Sequence, residues 1–140
     1  MTGTAEAVFR AVVEDDVPSL KDLVRAGADL EVRDERGRAP LHVATEMGAA
    51  AMVRALLSGG ADVRAVDGEG NTALHAAARR GDVEMIDELF GAGALVDAPN
   101  RAGATPLGVA RRVGHESAAA ALVDRGADPS SEGLSVPDPD

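Results

Sequence analysis

Residues 34–66 read DERGRAPLHVATEMGAAAMVRALLSGGADVRAV, and this stretch decides the fold. Asp34-Glu35-Arg36-Gly37 is a polar turn whose glycine can take the positive φ that such a turn needs. Pro40 suits the first turn of a helix, where a missing N–H costs nothing. Leu41, Ala44 and Thr45 then share one helical face, and Gly48 stops the helix. Met52, Val53, Leu56 and Leu57 repeat the helical spacing, and Ser58-Gly59-Gly60-Ala61-Asp62 ends that second helix. The unit is therefore turn, helix, glycine break, helix, glycine break.

The same unit recurs in both directions. Gly27, Gly60, Gly93 and Gly126 stand 33 residues apart, each followed by alanine. Gly37, Gly70 and Gly103 keep that step, as do Leu41, Leu74 and Leu107, then Ala44, Ala77 and Ala110, then Gly48, Gly81 and Gly114. A constant step of this length marks stacked supersecondary units, none of which can bury its apolar face alone. The period predicts helices over 5–14, 17–26, 39–47, 50–58, 72–80, 83–90, 105–113 and 116–124. Thr72 and Thr105 fall where an N-cap oxygen is wanted, whereas Ala39 brings none. In the first unit Asp15 replaces the glycine, and Glu6, Arg10 and Glu14 give the helix a polar exterior suited to a terminal unit.

Composition narrows the function. Among 140 residues there are two Phe and no Trp, Tyr or Cys. Disulfides, thiolate catalysis and cysteine-ligated zinc are thereby excluded, and an aromatic ligand pocket or base-stacking platform is disfavoured. No basic leader and no run of 18 apolar residues occurs, so neither a secretory signal nor a membrane span is expected, and a cytoplasmic monomer is. The net charge of −10 argues against nucleic acid. No phosphate-binding loop and no nucleophile–base pair can be assembled, so no enzyme, cofactor or metal is expected. His42 and Glu46 form an i, i+4 pair, yet the sequence places no third ligand beside them.

These residues resemble the ankyrin repeat. The likeness is carried by Asp34, Gly37, Pro40-Leu41-His42 and Ala44; by Asp67, Gly70, Thr72, Leu74-His75 and Ala76-Ala77-Ala78; and by Gly103, Thr105-Pro106-Leu107, Ala110 and Gly114-His115. Ala39, Ala73, Leu95, Asn100 and Gly108 depart from the pattern. The resemblance implies an all-α helical repeat solenoid with short hairpin turns, one domain over 1–128 in repeats of about 5–33, 34–66, 67–99 and 100–128. Residues 129–140 read as a disordered acidic tail. The resemblance also implies that His42 and His75 bond backbone groups of a neighbouring turn. His115 is taken as solvated.

Ankyrin-like stacks meet protein partners through the turn tips and the exposed ends of the first helices. That rule points to Arg33, Glu35, Arg36, Arg38, Glu46, Met47, Glu69, Asn71, Arg79, Arg80, Arg101 and Arg112. Arginines outnumber glutamates there, on a chain that is acidic overall. The expectation is a non-enzymatic adaptor, inhibitor or regulatory subunit binding a protein partner through an arginine-rich concave face. An acidic partner is the sharper form of that expectation. The alternative is nucleic-acid or anionic-lipid binding through the same stripe.

Overall fold

The computed structural model describes residues 3–130. Among these are eight helices and no strand: α1 (Gly3–Val13), α2 (Val17–Arg25), α3 (Pro40–Glu46), α4 (Ala50–Ser58), α5 (Ala73–Arg80), α6 (Val83–Gly91), α7 (Pro106–Val113) and α8 (Glu116–Asp124). Each lies within two residues of its place in the period. The tail expected over 129–140 lies, from residue 131 onward, outside the described residues.

The odd-numbered helices form one row, α1 on α3, α3 on α5 and α5 on α7, and the even-numbered helices stand behind them. Leu41, Leu74 and Leu107 are buried along the first row, and Leu56, Leu89 and Leu122 along the second. Ala44, Ala77 and Ala110 are fully buried where successive helices meet, and their small side chains let the backbones approach closely. Burying a leucine is worth about 1.5–3 kcal/mol, so these two ladders supply much of the cohesion between units.

Hairpin fingers project between repeats. The Asp34 carboxylate accepts from the amides of Arg36 and Arg38, both at 2.9 Å, and Asp67 does the same for Glu69 at 2.8 Å and Asn71 at 2.9 Å. Asn100 keeps this geometry with its amide oxygen, accepting from Ala102 at 3.0 Å and Ala104 at 2.9 Å. A neutral side chain therefore replaces the aspartate without loss of the turn. Finger joins finger through Gly68 N–H to Arg36 O at 3.1 Å and Arg101 N–H to Glu69 O at 3.0 Å. Gly37 and Gly70 sit at that junction with φ of +75° and +79°. A Cβ on Gly37 would lie 2.7 Å from the Gly68 nitrogen, so both the dihedral and the space demand glycine. Asp15 has φ of +53°, the conformation that Gly48, Gly81 and Gly114 take one, two and three repeats later. Aspartate is among the few residues that tolerate it.

Candidate functional site

His42 and His75 are buried where each helix pair meets the finger that follows it. The Ala39 amide donates to His42 Nδ1 at 2.9 Å, and His42 Nε2–H donates to Ala65 O at 3.0 Å. In the next repeat the Thr72 amide donates to His75 Nδ1 at 3.0 Å, and Nε2–H donates to Ala104 O at 2.8 Å. These partners fix both rings as neutral, with the proton on Nε2. Neither ring keeps a lone pair to offer a cation or a substrate proton. Burial pushes both imidazoles below their ordinary pKa, outweighing the carbonyl bonds that pull the other way. The rings pin each helix pair to the following finger, as the resemblance implied. Among the described residues no group of three or more His, Asp or Glu is placed to hold a metal ion.

The arginines mapped onto the finger side divide into two sets. Arg33 donates to Gly37 O at 3.1 Å and, across the repeat boundary, to Val66 O at 2.6 Å. Arg38 bridges Asp34 at 2.8 Å and Glu46 at 2.7 Å, with only a fifth of its side chain exposed. Burial pushes the Asp34 carboxyl up, but the Arg38 and Arg36 amides and the Arg38 guanidinium overcome this and hold it below the usual carboxylate range. Arg80 reaches back one repeat to Glu46 O at 3.0 Å, its guanidinium lying over Gly48. Arg33 and Arg80 tie repeats together, whereas Arg38 braces its own repeat.

Arg36, Arg79, Arg101 and Arg112 are different. All four are exposed, and none has an ion-pair or hydrogen-bond partner for its guanidinium among the described residues. Only two other cationic side chains, Arg10 and Lys21, share that condition. Glu35 and Glu69 are exposed on the fingers, whereas Glu46 is occupied by Arg38. Met47, Val66 and Val113 add half-exposed apolar surface on this side.

Two sequence readings need correction. Asn71 is 6% exposed, and its Oδ1 accepts from Asn100 Nδ2 at 2.9 Å. It links fingers and offers a partner almost no surface. His115 is half-buried rather than solvated: it is the N-cap residue of α8 and its ring packs over Gly81. One exposed residue in the same register was missed. Val13 is 61% exposed at the end of α1, one 33-residue step before Glu46 and two before Arg79. Carrying the period back into the first unit would have found it.

A stack of helix pairs joined by fingers, with His42 and His75 committed to the backbone, defines a helical repeat protein. A family model of ankyrin repeats (3 copies) matches residues 8–100 and 59–132, and the chain belongs to that family. It is thus a protein-interaction module in class. The chain is also similar to NF-kappa-B inhibitor alpha of Gallus gallus, 44% identical over 46 residues. That stretch spans 33% of this chain and 14% of the relative. No helix among the described residues is long and apolar enough to cross a membrane.

Proposed function

We propose that this protein is a non-enzymatic adaptor, inhibitor or regulatory subunit that binds an acidic segment of a protein partner through its concave, finger-bearing face. One observation carries the reading. In a chain with 24 acidic and 14 basic residues, Arg36, Arg79, Arg101 and Arg112 have no carboxylate partner among the described residues. Arginine's planar fork pairs bidentately with carboxylates, and arginine and methionine are enriched at protein interfaces. Val13, Met47, Val66 and Val113 supply the apolar part of the contact.

The test uses a fluorescent poly-glutamate peptide as probe. Binding should weaken as salt rises, because exposed charges are screened over about 8–10 Å. The triple variant Arg36→Glu, Arg79→Glu, Arg112→Glu should lose it while keeping its helicity. Reversal of Glu84 and Asp124, exposed acids outside the face, should leave it intact. Equal binding at low and high salt, with tolerance of the arginine reversals, would refute the reading. Duplex DNA or phosphatidylserine vesicles bound in preference to the peptide would move it to the anionic alternative.

A further inference from the structure

In the row of even-numbered helices α2 packs directly on α4, and a groove of about 460 Å³ opens between them. Val17 and Val24 of α2, with Ala51 and Ala55 of α4, give it an apolar lining. Gly59 continues that lining past the end of α4. A Cβ on Gly59 would lie 3.0 Å from the Val24 side chain and 3.1 Å from that of Leu30, so the two repeats meet closely there. Val17, Val24, Ala55 and Gly59 are half-buried, whereas Lys21, Arg25, Ala51 and Arg54 are exposed.

Three cations and no carboxylate line this groove. Lys21 is the only lysine in the chain and has no ion-pair or hydrogen-bond partner among the described residues. Arg25 meets Asp22 at 2.8 Å and Arg54 meets Glu88 at 3.2 Å, yet both carboxylates line neighbouring hollows instead. Solvent-exposed pairs of this kind are weak and yield readily to a competing carboxylate. The next hollow in the row, between α4 and α6, is acidic, with Asp87 and Glu88 in its lining. Glu84 and Glu88 stand one 33-residue step after Ala51 and Ala55, so α6 carries long acidic side chains where α4 is bare. The cationic groove is therefore particular to the first two repeats and does not follow from the period.

We propose that the groove between α2 and α4 docks an acidic amphipathic helix of a protein partner, independently of the arginine-bearing face. The apolar lining takes one face of such a helix, read at i, i+4 and i+7. Lys21 and Arg25, one turn apart on α2, and Arg54 on α4 meet carboxylates on its flanks. Helices of nine residues are about 13 Å long, which gives two turns of a partner helix a full seat. A groove with exposed cations on both helices suits a helix better than a small molecule, which needs enclosure on most sides. The acidic hollow beside it repels the same helix and so fixes which groove is taken.

The probe is a fluorescent helical peptide with leucine at i, i+4 and i+7 and glutamate on both flanks, titrated into the full chain. Its affinity should fall about tenfold or more in the double variant Lys21→Glu, Arg54→Glu, and likewise in Ala51→Glu. The latter installs at an exposed site the residue type that α6 carries one step later, and circular dichroism checks that both variants keep their helicity. Carbodiimide should couple a peptide glutamate to Lys21, as mapped by mass spectrometry. Equal affinity in the parent and the groove variants refutes the site, as does coupling of leucine-free poly-glutamate to Lys21 just as readily. The variant Arg36→Glu, Arg79→Glu, Arg112→Glu should bind the peptide as the parent does. Loss of binding there would put the peptide on the arginine-bearing face and refute the groove alone. Preference for phosphatidylserine vesicles or for octanoate would refute a protein helix as the occupant. A dimer of the parent that Ala51→Glu disperses in sedimentation would give the groove to a second copy and overturn the proposal.

Discussion

The second and third repeats have the same backbone and different reasons for holding it. At the start of α5, Thr72 has φ −88° and ψ 172°, and its hydroxyl accepts from the His75 amide at 3.4 Å. At the start of α3, Ala39 has φ −80° and ψ 164° with no side-chain cap. The second helices repeat the contrast. Asp82 caps α6 by accepting from Met85 N–H at 3.1 Å, whereas Ala49 caps nothing on α4 at nearly the same dihedrals. Residues 34–66 thus lack both capping side chains and still adopt the capped geometry. Neighbouring repeats impose the backbone, and the caps add local stability to a shape already dictated. Arg38 partly offsets the deficit by tying the finger of this repeat to Glu46 at the far end of its own helix.

The largest effect should come from the histidine pins. His75 holds three partners, the Thr72 amide, the Thr72 hydroxyl at 2.9 Å and Ala104 O, while His42 holds two. Replacing either with alanine leaves buried backbone groups unpaired, at about 1–3 kcal/mol. His75→Ala should cost more than His42→Ala in chemical denaturation. Equal costs would mean that the threonine adds nothing to the pin, which would erase the difference between the two repeats.

Acid should act through the same pair. Each histidine titrates lower in the folded state than in the unfolded chain, whose value is about 6.5. Their contribution is therefore fully present above that pH and is lost as pH falls toward and through the lower folded values. Melting temperature should hold from pH 8 to about 6.5 and then drop. In the variant with both histidines replaced by glutamine, that part of the slope should vanish. A parent profile flat to pH 5 would contradict the neutral assignment.

Capping the second repeat is the direct repair. Ala39→Thr and Ala49→Asp should each stabilise by about 0.5–2 kcal/mol, and Thr72→Ala and Asp82→Ala should cost a similar amount. The two repeats would then converge in thermal melts. Unmoved midpoints in all four variants would show that stacking alone sets these helix starts.

The smallest change runs the other way, because at one position the third repeat is the incomplete one. Asp29, Asp62 and Asp128 each accept from the amide two residues on, at 2.8, 2.9 and 3.0 Å. Leu95 stands at that step and is 47% exposed. Leu95→Asp should restore the turn and gain about 0.5–1.5 kcal/mol in denaturant melts. A loss would mean that the leucine packs usefully despite its exposure.

Most of the fold was legible because its signals are local and recur. Glycine at a fixed step, proline at a helix start and leucine on one face depend on residues a few positions apart, and repetition removes the ambiguity any one copy would leave. The site was legible only in outline. The period marked the finger and helix-end positions, yet it treated Arg80 like Arg79 and Asn71 like Glu69. Arg80 spans back 34 residues to Glu46 O, and Asn71 is met by Asn100 from 29 residues ahead. Period and local propensity determined by themselves the helices, the turns and the buried ladders. Only the stacked structure decided which arginines are spent on the protein itself and which have no partner among the described residues. A long side chain's partner is chosen by what the adjacent repeat presents within a few ångströms, and a 33-residue period carries no record of that.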